Sequence, residues 1–177
     1  MELSNDALTG SRDLSELDKD VLEFTQVLDD CNVAYIIVSG YVAILTGRSR
    51  STEDIDIILE TLSESETEQL VTDLKDRGYW RMAMPLDEMC SMVSEGSRIR
   101  IAEKGEMYPN VETWFVSNDV EREALSNPLT VTFDEGQIEI SPLGLQIAYK
   151  LRLAQIADGL SGKDFEDALH PYLTFEE

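Results

Sequence analysis

Basic residues are scarce in this sequence. Its 177 residues include 14 lysines and arginines against 36 aspartates and glutamates, which gives a formal net charge of −22. So acidic a surface opposes nonspecific binding to nucleic acid, which depends on basic patches. It is typical of proteins that work at very high salt, where charges are strongly screened. We therefore expect a halophilic protein, with an acidic protein from ordinary salt as the alternative. The candidates for a local basic strip that could still bind nucleic acid are Arg48, Arg50, Arg98, Arg100 and Lys150.

Cysteine, histidine and long apolar runs are also rare. Cys31 and Cys90 are too few and too far apart for a zinc knuckle, and we expect both to be reduced thiols of a cytoplasmic protein. The single histidine, His170, excludes a multi-histidine zinc site and argues against a serine–histidine triad. There is no signal peptide and no apolar run long enough to span a bilayer, so we expect no membrane partner.

The stretch that organises the sequence covers residues 33–60. Its apolar, β-branched run at 33–38 predicts a buried strand, and the short apolar run at 41–46 predicts a helix of about two turns. A second β-branched run begins at Asp54. Because residues i and i+2 of a strand point to the same face, Asp54 and Asp56 should lie side by side.

Two neighbouring carboxylates on a strand call for a cation. Each raises the pKa of the other unless positive charge lies between them, and oxygen-rich sites suit Mg²⁺ or Mn²⁺. The turn at Ser39 and Gly40, which precedes the predicted helix, offers backbone N–H groups to a phosphate. Arg48 and Arg50 add positive charge nearby. A phosphate-binding turn beside a two-carboxylate metal site is what phosphoryl or nucleotidyl transfer requires.

The spacing of these acids alone carries little weight, because the acidic chain contains four acid–apolar–acid triplets. The other three triplets fall in predicted helices, where residues i and i+2 do not share a face. Only Asp54 and Asp56 belong to a β-branched run that follows a Ser-Gly turn. The conjunction of features, and not the triplet, is therefore the signal.

This conjunction resembles the DNA polymerase β-like nucleotidyltransferase superfamily. The similarity is greatest to its small prokaryotic members, in which Gly-Gly-x-Ala and a further Gly precede Arg-x-Thr-x-Asp-Ile-Asp. One departure is that Ser39 occupies the place of the first glycine. A looser similarity covers Lys150 and residues 162–167, where the arginine of the family's Arg-x-Lys-Asp-x-x-Asp segment is missing. The matching residues of the first stretch are Gly40, Ala43, Gly47, Arg50, Thr52, Asp54 and Asp56.

The resemblance implies a metal-dependent nucleotidyltransferase that moves an NMP from an NTP to a hydroxyl of a protein, an RNA or a small molecule. Its cofactor would be Mg²⁺ or Mn²⁺, held by Asp54 and Asp56. Glu112 is the favoured third carboxylate, and Glu139 is its rival. The implied nucleotide-binding residues are Ser39, Gly40, Arg48, Arg50, Thr52 and Lys150.

Three hypotheses about the biological role stay open, of which the weakest is a nucleotide-binding sensor that binds without turnover. Similar proteins often serve toxin–antitoxin systems, so a protein or tRNA acceptor ranks first. The alternative is a catalytically silent binding or antitoxin-like module, which Ser39 and the incomplete match at the third carboxylate favour.

The fold class expected is α/β (α+β), with a nucleotidyltransferase-like mixed β-sheet flanked by helices. We expect a flexible tail at 1–12, a core at 13–141 and a helical C-terminal segment at 142–177 packed on the core. Asp164 and Asp167 are expected on a solvated helix face. Periodicity predicts helices at 14–31, 64–76 and from 142 onwards, and strands at 33–38, 54–59, 79–82, 98–101, 110–116, 129–133 and 137–140.

Overall fold

The computed structural model describes residues 2–4, 7–9, 13–81, 86–157 and 162–175. The strands are β1 (Glu2–Ser4), β2 (Ala7–Thr9), β3 (Tyr35–Val38), β4 (Asp54–Leu59), β5 (Tyr79–Arg81), β6 (Ile99–Glu103), β7 (Asn110–Phe115), β8 (Leu129–Thr132) and β9 (Gln137–Ile140). The helices are α1 (Glu16–Asp30), α2 (Gly40–Leu45), α3 (Glu64–Asp76), α4 (Met89–Ser94), α5 (Asp119–Ser126), α6 (Leu143–Ala157) and α7 (Lys163–Phe175), with a 3-10 turn at Leu86–Glu88 before α4.

Within the described residues these strands form one mixed sheet in the order β1-β2-β8-β9-β3-β4-β7-β6-β5. At its centre β4 pairs antiparallel with β3 and parallel with β7. The expected α/β class, with a mixed sheet, flanking helices and a helical C-terminal part, is therefore confirmed.

The two faces of β4 lie in different environments. Ile55 and Ile57 are almost fully buried and join the main hydrophobic core with residues of α1 and α3. Ile58 points to the opposite face, where it packs in a smaller cluster with Ile36 and Trp114. Asp54 and Asp56 share this second face, which is covered only in part. The alternation of the strand thus separates the core from a polar site.

Local sequence signals explain where the main helices begin. α1 starts with a capping box in which the Ser15 hydroxyl and the Asp18 carboxylate satisfy each other's backbone N–H groups. α3 starts with the same arrangement at Ser63 and Glu66 and covers the predicted residues. The helix predicted from residue 142 is two helices, α6 and α7, and residues 158–161 lie outside the described part of the chain.

The predicted flexible tail at 1–12 is wrong for residues 2–4 and 7–9. These residues form β1 and β2, and β2 pairs in parallel with β8. Leu8 is fully buried in the main core, which explains why this short strand is held. The other residues of the predicted tail lie outside the described ones, as does the predicted end of β5 at residue 82. The boundaries proposed at 13–141 and 142–177 remain a prediction.

In the described ranges, no helix is both long and apolar enough to cross a membrane.

Candidate functional site

Three carboxylates meet on one face of the central strands. The parallel register of β4 and β7 places Asp56 level with Glu112, and Asp54 lies two residues earlier on the same face of β4. One carboxylate oxygen from each residue lies within 4.8 Å of the other two, and all three residues are half-buried. β4 therefore supplies two acids through its alternation, and the β4–β7 pairing supplies the third.

The electrostatics of this carboxylate trio favour a bound cation. Burial, followed by the charge of Asp54, raises the pKa of Asp56 from 3.8 to about 6. The charge of Glu112 adds to this increase in pKa, while a hydrogen bond from the Ser39 hydroxyl and the charge of Arg98 oppose it. Three carboxylates at this spacing match the hard oxygen ligands that Mg²⁺ and Mn²⁺ prefer. The donor set therefore fits the divalent metal expected from the sequence.

Glu112 has basic partners on its other side. Arg98 Nη1 lies 3.1 Å from one Glu112 carboxylate oxygen, and Arg100 Nε lies 3.4 Å from the other. The Arg98 guanidinium also lies over the Trp114 ring, with Cζ 3.9 Å from the ring centroid. Arg98 is thereby held between Trp114 and the carboxylate trio. These two arginines border the carboxylate trio.

Glu139, the rival third carboxylate, lies elsewhere. It is on β9, where its carboxylate accepts hydrogen bonds from the Thr130 hydroxyl at 3.0 and 3.1 Å. It is not part of the trio found among the described residues. The geometry therefore gives the position beside Asp54 and Asp56 to Glu112.

The turn between β3 and α2 has an unusual backbone. Ser39 adopts φ 64° and ψ −125°, a conformation that favours glycine because a side chain crowds the backbone there. Gly40 follows at the start of α2. A Cβ at Gly40 would lie 3.1 Å from both Arg50 Nη2 and Thr52 Oγ1, so a larger residue there would have to displace these two side chains by a few tenths of an ångström. Thr52 Oγ1 in turn donates to the Asp54 carbonyl oxygen at 2.9 Å.

The predicted phosphate-binding cations converge on one buried acid of α7. Asp167 is completely buried, with Arg50 Nη1 at 2.8 Å and Lys150 Nζ at 3.2 Å from its Oδ2, and Arg48 pairs with its Oδ1. Lys150 Nζ also lies 2.8 Å from Asp164 Oδ1. The expected solvated face for Asp164 and Asp167 is therefore wrong, because the helix packs these acids against the cations of the site.

A cavity of about 350 Å³ opens between these groups. Its size falls within the range of small-molecule sites. Its lining includes the carboxylate trio and several apolar side chains, among them Trp114, Leu145 and Tyr149. The predicted site residues that line the cavity are Ser39, Gly40, Arg50, Thr52, Asp54, Asp56, Glu112 and Lys150.

No protein-family model and no curated protein sequence matches the chain. Its structure is similar to an antigenic nucleotidyltransferase-like protein from Paracoccidioides brasiliensis, with a TM-score of 0.59 and 16% identity, covering 89% of this chain and 77% of that one. It is also similar to the lincosamide antibiotic adenylyltransferase LnuA with lincomycin bound, with a TM-score of 0.53 and 18% identity, covering 91% and 98%. A third similar structure is ANT(2'')-Ia in complex with adenylyl-2''-tobramycin, with a TM-score of 0.50 and 10% identity, covering 87% and 86%.

The chain has a nucleotidyltransferase fold. In this nucleotidyltransferase fold, Arg48 is the one predicted nucleotide-binding residue that does not line the cavity, and it binds the α7 residues Glu166 and Asp167 instead.

Sequence reasoning missed the contribution of Asp167, although the loose similarity at residues 162–167 was a signal for it. It also missed Gln146 of α6, whose buried amide contacts the backbone of Ser39, and no local pattern marks that residue.

Proposed function

We propose that this protein is a divalent-metal-dependent nucleotidyltransferase that transfers an NMP from an NTP to a hydroxyl group of a small molecule. The observation that carries the proposal is the carboxylate trio of Asp54, Asp56 and Glu112 in a cavity of a nucleotidyltransferase fold. Arg50 and Lys150 line the same cavity and bring positive charge within it. Together these groups offer what a nucleoside triphosphate and its metal need.

Each residue has a role in this reaction. Asp54, Asp56 and Glu112 would hold Mg²⁺ or Mn²⁺, and the bound metal would supply neutralisation of charge on the phosphate oxygens. Arg50, Lys150 and the turn at Ser39 and Gly40 would bind the triphosphate. The acceptor oxygen forms a bond to the α-phosphorus, the bond to the bridging oxygen breaks, and pyrophosphate leaves with that electron pair. The hydroxyl proton passes to a carboxylate of the trio.

A small molecule is the acceptor we favour. The similar structures include an adenylyltransferase with lincomycin bound and a complex with adenylyl-2''-tobramycin, both of which concern small molecules. The apolar lining residues Trp114, Leu145 and Tyr149 suit the body of such a compound. A net charge of −22 opposes a tRNA acceptor. A protein or tRNA acceptor, and with it a toxin–antitoxin role, has no support from the similar structures and becomes an outcome of the test.

The test follows label from each of the four α-labelled NTPs in the presence of Mg²⁺ or Mn²⁺, at low and high salt. Acceptors are a panel of hydroxyl-bearing antibiotics and a cell extract separated into small-molecule, RNA and protein fractions. We expect pyrophosphate release and label in the small-molecule fraction. Asp54→Asn should abolish both signals, while Glu68→Gln, an exposed acid of α3, should change neither. Label confined to RNA or protein would contradict the acceptor class, and no release from any NTP would overturn the activity.

A catalytically silent module is the second candidate, and one observation favours it. Arg48, Arg50 and Lys150 are already paired with acids of α7, so part of the charge expected to bind phosphate is neutralised within the chain. A silent module should bind neither Mn²⁺ nor nucleotide in a calorimetric titration. Binding of both, with turnover, would exclude it.

A further inference from the structure

The side-chain amide of Gln146 makes hydrogen bonds to both backbone groups of Ser39, in the turn between β3 and α2. The Ser39 backbone N–H donates to Gln146 Oε1 at 3.2 Å, and Gln146 Nε2 donates to the Ser39 carbonyl oxygen at 3.0 Å. Gln146 is 2% exposed, so both bonds are largely shielded from water. A single side chain on α6 thereby satisfies the donor and the acceptor of a residue that lies 107 positions earlier.

Ser39 is a residue that needs such support. Its φ of 64° with ψ −125° is a backbone conformation that a residue with a Cβ rarely adopts. Ser39 precedes α2, but its side chain makes no capping hydrogen bond to that helix. Strained residues of this kind persist where the surrounding structure over-determines them. The Gln146 amide is the group that does so here.

The strained conformation has a consequence in the cavity. Ser39 directly follows Val38, which pairs with Asp56 across β3 and β4, and both Ser39 and Asp56 line the cavity. The next residue, Gly40, packs against Arg50, which also lines the cavity. A change in the Ser39 backbone would therefore disturb both the surroundings of Asp56 and the start of α2.

We propose that Gln146 is a positioning residue: by holding both backbone groups of Ser39, it keeps the turn and Asp56 in the arrangement that binds the metal and its nucleotide. This deepens the proposed function and, for its nucleotide readout, rests on it. It also links α6, in the helical C-terminal part, to the β3–α2 turn through one side chain. The competing explanation is that Gln146 is only a buried polar residue that happens to be satisfied.

The Ser39 backbone separates these explanations. Glycine adopts positive φ readily, so a Ser39→Gly chain has little need of the Gln146 amide. Ser39→Ala also removes the hydroxyl, but it keeps the Cβ and therefore the strain. If Gln146 acts by holding the backbone, its loss should matter in the wild-type and Ser39→Ala chains and should matter little in the Ser39→Gly chain.

The experiment places Gln146→Met, which keeps the side-chain length, in these three backgrounds. Calorimetry measures the Kd for Mn²⁺ with a non-hydrolysable NTP analogue, and urea denaturation measures stability without either ligand. We expect Gln146→Met to weaken binding about tenfold in the wild-type and Ser39→Ala backgrounds, because the strained residue 39 relaxes without its support, and about twofold or less with Ser39→Gly, which carries no such strain. The exposed Gln155→Met, on the same helix, should have no effect.

Equal loss of affinity in all three backgrounds would overturn the proposal. If Gln146→Met does not fold, Gln146→Asn serves instead, because it keeps a neutral amide but shortens its reach to the two Ser39 backbone groups. If no chain binds nucleotide, the proposed function fails by itself. The dependence of the denaturation midpoint on the Ser39 background still decides the role of Gln146 in that case.

Discussion

Asp56 is the residue at which folding and the proposed activity oppose each other. Burial and the charge of Asp54 raise its pKa from 3.8 to about 6 in the metal-free protein. Asp56 therefore holds its proton more strongly in the folded protein than in the unfolded chain, whereas the metal site needs the ionised form. Because the folded-state pKa of this acid is raised, stability is lost as the pH rises from about 4 to about 6 and stays lower above that window.

We predict that Asp56→Asn stabilises the metal-free protein at about pH 7.5. The rise in pKa to about 6 corresponds to about 3 kcal/mol of unfolding free energy as an upper bound. The gain should shrink towards about pH 4.5, where wild-type Asp56 is protonated in the folded protein. Urea denaturation in EDTA at both pH values measures it, with Glu68→Gln as the exposed control. A gain that is independent of pH, or a loss at both values, would show that charge at Asp56 is not the cause.

Bound metal should make the ionised carboxylate trio stabilising. The variant that loses this stabilisation identifies the third carboxylate ligand. We predict that Mn²⁺ at a hundredfold excess over its Kd increases the free energy of unfolding of the wild-type protein by about 2.7 kcal/mol. Its melting temperature should rise accordingly. Glu112→Gln should abolish most of the increase, since Glu112 contributes an oxygen to the trio. Glu139→Gln should keep it, because Glu139 bonds to Thr130 instead. Thermal unfolding with and without Mn²⁺ checks this, and the opposite pattern for the two variants would make Glu139 the ligand.

Among the secondary-structure elements, α7 stands out because its acids bind three cations from two other segments. Arg48 and Arg50 come from the loop after α2, Lys150 comes from α6, and all three pair with Asp167. Buried ion pairs of this kind add little over apolar packing, but removing one partner leaves the others uncompensated. α7 therefore fixes the position of the cations that line the cavity, and α2, α6 and α7 depend on one carboxylate for their packing at this point.

We predict that Asp167→Asn lowers the free energy of unfolding by about 3 kcal/mol, because it leaves buried cations without their acid. Glu166→Gln provides the matched control on the same helix. Its side chain is 59% exposed, so loss of its ion pair with Arg48 should change stability by less than about 1 kcal/mol. Urea denaturation at neutral pH compares the two variants. Equal effects would mean that burial of Asp167 does not determine the strength of this cluster.

These elements also show what the sequence could predict. The period-two pattern of β4 was local, and it placed Asp54 and Asp56 on one face correctly. The capping residues of α3 were local as well, and its predicted bounds are confirmed. The pairings of Gln146 with Ser39 and of Asp167 with Arg50 join residues 107 and 117 positions apart, and no local pattern encodes such a contact. The strands β1 and β2 were missed because they are three residues long and depend on pairing with β8.

Over the whole molecule, charge is distributed unevenly. The net charge is −22, yet Arg50, Arg98 and Lys150 all line the one cavity described above. The acidic surface repels an NTP at long range, whereas a divalent metal on the carboxylate trio would offset the acids of the cavity and let these cations bind the phosphates at short range. Salt screens the long-range part more strongly than contacts within a partly buried site. High salt should therefore favour both the folded state and the approach of nucleotide.

We predict that the free energy of unfolding rises as KCl increases from about 0.1 M to about 1 M, because the screening length falls from about 10 Å to about 3 Å and the self-repulsion of the surface weakens. Urea denaturation across this series measures the slope. A chain with Glu23→Gln, Glu68→Gln and Glu135→Gln, three exposed acids, should show a shallower slope. A slope unaffected by these substitutions would assign the effect to ions acting on apolar surface, and a flat or falling stability would favour an acidic protein from ordinary salt over a halophilic one.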